Sequence, residues 1–517
     1  MEKKEDIRET VLIVNFGGQY THLIGKAIRR LGTYTKIIYW RKLHEELSAL
    51  GASVKALILS GGPRSVNEFE DVFSDLSFLT ELNLPVLGIC FGHQLLAKLL
   101  GGAVEAGEGE YGRTEIRIVK DDSIFTGWGT VEYVWMSHRD YVVSLPPETE
   151  VLAISQRKYI AAFRVKGTHI YGVQFHPEVS HTPKGMELLM NFLKVSGVKG
   201  SWGLNDYYAD AVKTLNEGLK GCRKAIAAVS GGIDSTVAAV LAARKLGDRL
   251  IPILIDHGFF REGEVDEVLR NLRKTGLKPV FIDASDRFMK ALQGVEGCDE
   301  RRIIIGKVFA EIFKEFASRD PEVGCLIQGT TYPDVIESGG SEEASVIKRH
   351  HNVGGLPHDF PLKVVEPLRN LYKDEVRELG RYLRIPEEIV NRKPFPGPGL
   401  AIRVVGEVTR EKVEIVRKAS RIIEDELAKA GIDEEVWQAF AVVGDDRWVG
   451  VRGDERALGH ILHIRVVSSL NGMTADWVEI PHEVLRRISW RITSEIPQVT
   501  MVTYAITPKP PSTIEPC

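Results

Sequence analysis

Short apolar runs separated by helix-length stretches constrain this chain more than any other feature. The runs at residues 11–14, 56–59 and 85–89 are strand-sized, and each is followed by enough chain to return along the outside of a sheet. That alternation predicts strands joined through helices into a mostly parallel sheet. The first such domain ends after a helix-like stretch at 183–195, where residues 196–203 are rich in Gly and Ser. A second α/β pattern then starts, with a strand at 224–229, a helix at 235–246 closed by Gly247, and the next strand at 250–255. The segment PFPGPG at 394–399 can continue neither a helix nor a central strand, and it marks a second boundary. Beyond it, strand-like runs at 440–443, 461–467 and 501–506 surround a helix-like stretch at 481–496. The expected fold class is therefore α/β, with two parallel-sheet α/β domains (9–199 and 200–393) followed by a small α+β domain (394–517).

Bulk properties narrow the function classes. A chain of 517 residues exceeds what one hydrophobic core usually supports. Its formal charge of −4 excludes an overall basic field of the kind that holds a protein on nucleic acid or anionic lipid. Residues 1–10 are charged rather than apolar, and no later run approaches bilayer-spanning length, so neither a membrane nor a nucleic-acid partner is expected and the expected location is cytoplasmic. The five cysteines, Cys90, Cys222, Cys298, Cys325 and Cys517, show no paired spacing, which argues against a disulfide framework and a zinc site.

Two constellations carry chemistry. In PVLGICFGHQ at 85–94 an apolar strand runs through glycines flanking Cys90 into a helix-like stretch. Such a turn lifts a nucleophile out of the sheet, and the helix N-terminus favours the thiolate. A lone cysteine is more often a buried small hydrophobe; the elbow reverses those odds. A second segment, YGVQFHPEV at 171–179, places His176 and Glu178 two residues apart around Pro177, which pushes His176 toward extended geometry. Glu178 can then orient the imidazole while His176 moves the proton. In SGGP at 60–63, the N–H of Gly62 could join that of Phe91 in holding an oxyanion.

The second constellation is SGGIDST at 230–236, directly after a strand and before a helix. Its glycines let backbone N–H groups wrap an anion, and the helix N-terminus adds positive potential. It is neither a Walker A loop nor a dinucleotide GxGxxG.

The first constellation resembles the class I glutamine amidotransferases, whose three signatures fall in this order. That likeness implies that Cys90 attacks the glutamine amide, with His176 and Glu178 completing a triad. The second resembles the PP-loop ATP pyrophosphatases, of the adenine-nucleotide α-hydrolase-like fold. It implies that Ser230, Gly231, Gly232, Ile233, Asp234, Ser235 and Thr236 bind ATP, with Asp234 near Mg2+. QGTTYPDVIESG at 328–339, IKRHHNVGGLP at 347–357, EPLRNLYKDE at 366–375, PFPGPGLAIR at 394–403, GMTADW at 472–477 and KPPSTIE at 509–515 resemble the GMP synthetase family. This resemblance implies glutamine, ATP and xanthosine monophosphate (XMP) as substrates, Mg2+ accompanying ATP, and a homodimer formed through the C-terminal domain. It also implies Asp334 and Glu337 near the reacting centre, Lys348, His350 and His351 in a lid, and Arg302, Gln438, Lys509, Thr513, Ile514 and Glu515 at the nucleotide substrate. The competing reading of His350 and His351 as a metal pair is disfavoured because neighbours in extended chain face opposite sides. Lys509 could equally be a solvated lysine. Departures from the family pattern gather in the acceptor segment: Met501 and Ala505 stand where Arg and Asp are usual, and the chain reads Glu515, Pro516, Cys517 where an acidic-aromatic ending is usual. They leave open the same amidation chemistry on another acceptor. A non-catalytic nucleotide-binding protein is the third reading, which the retained Cys90, His176, Glu178 and glycine loop oppose.

Overall fold

The computed structural model describes residues 8–69, 75–339, 360–469, 472 and 474–517. The chain divides into two compact units, with the change at Asp206 and Tyr207.

In the first unit, strands β1 (Thr10–Asn15), β2 (Tyr34–Tyr39), β3 (Val54–Leu59), β4 (Val86–Ile89) and β9 (Ile170–Val173) form a parallel sheet in the order β2-β1-β3-β4-β9. Both faces are covered, which is why β1 and β3 read as nearly unbroken apolar runs. Val11, Ile13 and Ile58 enter the core on one face, while Leu12, Val14, Leu57 and Leu59 enter it on the other. The sheet continues past β9 in antiparallel fashion through β8 (Ile160–Val165), β7 (Thr149–Ser155), β5 (Ala103–Ile118) and β6 (Val131–Ser144).

The second unit holds an all-parallel sheet of β10 (Lys224–Ala228), β11 (Leu250–Asp256), β12 (Val280–Asp283), β13 (Val323–Ile327) and β14 (Lys363–Val365), in the order β12-β11-β10-β13-β14. Gly247 closes the helix Ile233–Leu246 with φ of 57°. A second sheet follows, in which β15 (Gln438–Arg452) and β17 (Asp476–Trp477) run antiparallel to β16 (Glu455–Ser468), and β18 (Val499–Tyr504) runs parallel to it. The helices Arg410–Lys429 and His482–Glu495 contribute Val416, Ile423, Ile488 and Ile492 to the core. That core is continuous from Ile226 and Ile253 through Leu400 and Val404 to Leu462 and Ile464. Among the described residues no helix is long and apolar enough to cross a membrane.

The cysteines correct the sequence expectation. Cys222 is bonded to Cys325 and Cys298 to Cys517, at separations of 103 and 219 residues, while Cys90 stays free. The first bond joins the chain entering β10 to its parallel neighbour β13. The second joins the start of the helix Cys298–Ser318 to the last residue of the sequence. Both pairings are made by tertiary contacts, so local spacing carried no trace of them.

Candidate active sites

Cys90 stands between β4 and the helix Phe91–Leu99 with φ of 53°, a left-handed conformation that costs a residue bearing a Cβ. The glycines around it serve another purpose. A Cβ on Gly88 would lie 2.4 Å from the Gly92 carbonyl oxygen, and one on Gly92 2.4 Å from the Leu59 oxygen. They let the helix start press against the sheet, and the strain falls on the cysteine itself.

At the end of β9, His176 Nδ1 is 2.7 Å from Glu178 Oε1, and both side chains are buried. Burial opposes charge on His176, yet the attraction of Glu178 and of the Cys90 sulfur outweighs it and raises the pKa well above 6.5. That is the electrostatics of an imidazole prepared to hold a proton and braced by a carboxylate. Tyr20 packs edge-on against the ring at 5.0 Å. A cavity of about 540 Å³ opens here, lined by Gly61, Gly62, Cys90, Phe91 and His176 among others. Among the described residues no hydrogen bond engages the N–H of Gly62 or Phe91. Part of the cavity's wall was not foreseen: Gln94 on the helix Phe91–Leu99, with Tyr111 and the segment Ser137–Asp140 brought in from β5 and β6. Gln94 could have been found, since it lies one turn beyond Cys90 on the same helix; the others had no local signature.

In the second unit, SGGIDST joins β10 to the helix Ile233–Leu246. The loop is tied by its own hydroxyls: Ser230 N donates to Ser235 Oγ at 3.2 Å, and Thr236 Oγ1 to the Gly232 carbonyl at 2.8 Å. Gly231 takes φ of 75°. Asp234 is half-buried, with its Oδ1 turned away from solvent; desolvation, together with the charge of Asp334, raises its pKa, while Lys373 at 3.4 Å opposes the rise. Its Oδ1 has no partner among the described residues. An orphaned carboxylate oxygen with a second carboxylate nearby suits Mg2+, which takes one or two carboxylates and fills its remaining positions with phosphate and water. Asp334 itself accepts from the N–H and hydroxyl of Thr331, at 2.9 and 2.8 Å, at the start of the helix Tyr332–Gly339. Lys373 and Arg377, which face Asp234, were missed, although YKDEVR displays both cations at helical spacing. Glu337 falls in the helix Tyr332–Gly339, but its side chain lies outside the description, as do Lys348, His350 and His351 altogether.

A residue-family model for class I glutamine amidotransferases matches residues 12–195, and one for the GMP synthase C-terminal domain matches 425–516. The chain is 54% identical over 511 residues to the glutamine-hydrolysing GMP synthase of Pyrobaculum aerophilum, covering 98% of this chain and 100% of that one. The chain belongs to the glutamine-hydrolysing GMP synthase family. Relatives in Aeropyrum pernix and Aquifex aeolicus bear the same name at 47% and 46% identity, each spanning 98% of this chain and 98% and 99% of their own.

The residues that this family likeness assigns to the nucleotide acceptor are partly gathered by the fold. Gln438 lines a cavity of about 320 Å³ with Arg261, Lys393, Arg403 and Glu424. Its Oε1 is buried without a partner among the described residues. Arg403, 1% exposed, is held in two hydrogen bonds by Glu515, at 3.1 and 2.9 Å, and lies 4.0 Å from the Phe440 ring centroid. The tail is fastened further by Arg302 Nη2, which donates to the Cys517 oxygen at 2.6 Å, and by Arg465, which donates to the Thr513 carbonyl at 3.0 Å. Ile514 is half-buried between them. Lys509 donates to the Gly472 carbonyl at 2.8 Å, so its ammonium is engaged within the protein. Met501 sits opposite Ile461 in the β18 and β16 ladder.

Proposed function

We propose that the chain makes GMP from XMP, glutamine and ATP. Glutamine enters the first cavity, where the Cys90 thiolate attacks the side-chain carbonyl carbon. Donors at Phe91 and Gly62 hold the oxyanion, and His176 passes its proton to the departing ammonia. Water, deprotonated by the now neutral His176, then cleaves the γ-glutamyl thioester and frees glutamate. Glu178 holds the ring in the orientation both steps need. In the second unit the Ser230–Thr236 loop takes the β and γ phosphates of ATP. The C2 oxygen of XMP attacks the α-phosphorus, pyrophosphate leaves, and ammonia displaces AMP from C2. Mg2+ brought with ATP would be held by Asp234 with Asp334 alongside, and when bound it spreads the charge of the phosphate oxygens. Lys373 and Arg377 add fixed positive charge beside the departing pyrophosphate.

The observation that carries this reading is the joint presence, in a chain that matches a GMP synthase over 98% of its residues, of Cys90 sharing a cavity with the Glu178-braced His176 and of a hydroxyl-tied phosphate loop. The protein is read as cytoplasmic and as a homodimer. Two disulfides in an intracellular chain match the habit of hyperthermophile proteins. The test is XMP-dependent release of AMP and pyrophosphate, with glutamate release abolished in Cys90→Ala. Met501 and Ala505 favour checking one alternative: turnover of another purine nucleotide, with none of XMP, would reassign the acceptor.

A further inference from the structure

Behind the glutamine cavity lies a buried ionisable pair that the mechanism above does not use. In the ladder between β5 and β6, Glu110 sits directly opposite His138. A register shift between Ala106 and Glu110 sets four steps of β5 against two of β6, which brings Glu110 rather than Glu108 opposite His138. The two side chains are 3% and 1% exposed, with His138 Nε2 3.2 Å from Glu110 Oε2. On its other side the imidazole Nδ1 is 2.8 Å from the Asp140 carbonyl oxygen.

Those two contacts fix a proton count. A carbonyl oxygen can only accept, so Nδ1 carries hydrogen. The contact with Glu110 therefore needs one further proton, on Nε2 if the carboxylate is ionised or on the carboxyl if the imidazole is neutral. An apolar residue at 110 could supply neither form, and His138 would lose one of its two anchors while remaining buried. His93, adjacent and fully buried, offers no replacement: burial, with the charge of His138 adding to it, holds its pKa at about 3.

What His138 anchors is the wall of the cavity. The Ser137 carbonyl accepts from Cys90 Sγ at 3.7 Å, and the Asp140 carbonyl accepts from Gln94 Nε2 at 2.7 Å as well as from His138. Ser137, Gln94 and Asp140 all line the space beside the nucleophile. We infer that Glu110 is a positioning residue for glutamine hydrolysis, supplying through His138 the hydrogen bond that fixes the Ser137–Asp140 wall against Cys90. The inference rests on the glutaminase reading of this cavity.

The experiment uses the full-length enzyme with ATP, Mg2+ and XMP, fed with either glutamine or ammonium chloride. Glu110→Ala should raise KM for glutamine at least about tenfold, the scale expected when a substrate is misplaced by a fraction of an ångström. Its kcat at saturating glutamine should change less, and its ammonia-dependent rate should match wild type. Glu110→Gln, whose amide can donate to Nε2, should stay within about threefold of wild type. If the alanine variant does not fold, Glu110→Leu, which fills the volume without a donor, takes its place. The inference is overturned if the alanine or leucine variant keeps the wild-type glutamine KM, if Glu110→Gln is as impaired as they are, or if ammonia-dependent synthesis falls in parallel. Failure of the underlying reading would look different: Cys90→Ala would retain glutamine-dependent synthesis.

Discussion

Replacing Cys298 by serine tests whether the bond to Cys517 secures the acceptor end of the molecule. The bonded residues are 219 positions apart in sequence and 5.3 Å apart at Cα. In the chain-entropy model a loop of about 100 residues is worth about 4.7 kcal/mol, and each doubling adds about 0.6 kcal/mol, giving an upper figure of about 5 kcal/mol here. Measured values more often fall at about 2–4 kcal/mol. The second unit has roughly 300 residues, so its unfolding entropy at about 2.1 cal/mol/K per residue is about 0.6 kcal/mol/K. The expected fall in Tm is therefore about 3–8 °C. Calorimetry of the oxidised wild type, the same protein reduced with dithiothreitol, and the serine variant reads it directly. The reduced protein should melt below the oxidised one by at least as much as the variant, because Cys222 and Cys325 are opened too. A functional effect accompanies the thermal one, since Glu515, the bidentate partner of buried Arg403, is only two residues from Cys517. KM for XMP should rise in Cys298→Ser while glutaminase activity holds. A variant that melts with oxidised wild type, when mass spectrometry shows the native bond intact in the latter, would refute the reasoning.

Cys90→Ala should abolish glutamine-dependent GMP formation and leave the ammonia-dependent rate unchanged, because nothing in the second unit depends on the thiol. Gly92→Ala should cost about 1–3 kcal/mol of stability and most glutaminase activity, since its Cβ would lie 2.4 Å from the Leu59 oxygen; retained activity with an unchanged Tm would contradict the packing argument. Asp234→Asn should suppress XMP-dependent pyrophosphate release and raise the Mg2+ needed for it, both measurable with ammonia as nitrogen source. Glu426 is held at a pKa of about 2 by Lys429, then Arg487, against burial and with help from Arg491. A lowered pKa adds stability above the ordinary glutamate value of 4.5 that is lost as pH falls through about 2, so Glu426→Gln should destabilise at neutral pH and converge with wild type in acid; an equal deficit at pH 7 and pH 2 by denaturant titration would exclude the charge as the cause.

What the sequence determined by itself was local: several parallel strands, the helices that follow them and the turns that carry chemistry, whereas the antiparallel strands β5 to β8 went unread. The apolar runs at 11–14 and 56–59 fall in strands, and the strand read at 224–229 is found at Lys224–Ala228, because burial on both faces leaves no other composition tolerable. Cys90, His176, Glu178 and the 230–236 loop were legible because elbow, His-Pro-Glu and phosphate-loop chemistry each lie within a few consecutive residues. The tertiary structure alone decided what depends on distant partners. Only the register of β5 on β6 sets Glu110 against His138, and only the packing of the helix Lys373–Tyr382 brings Lys373 to Asp234. The two disulfides join residues 103 and 219 apart, and Glu515 reaches Arg403 across 112 positions. Short-range hydrophobic patterning is written along the chain, whereas pairings over a hundred residues exist only once burial and strand register have brought their members into contact.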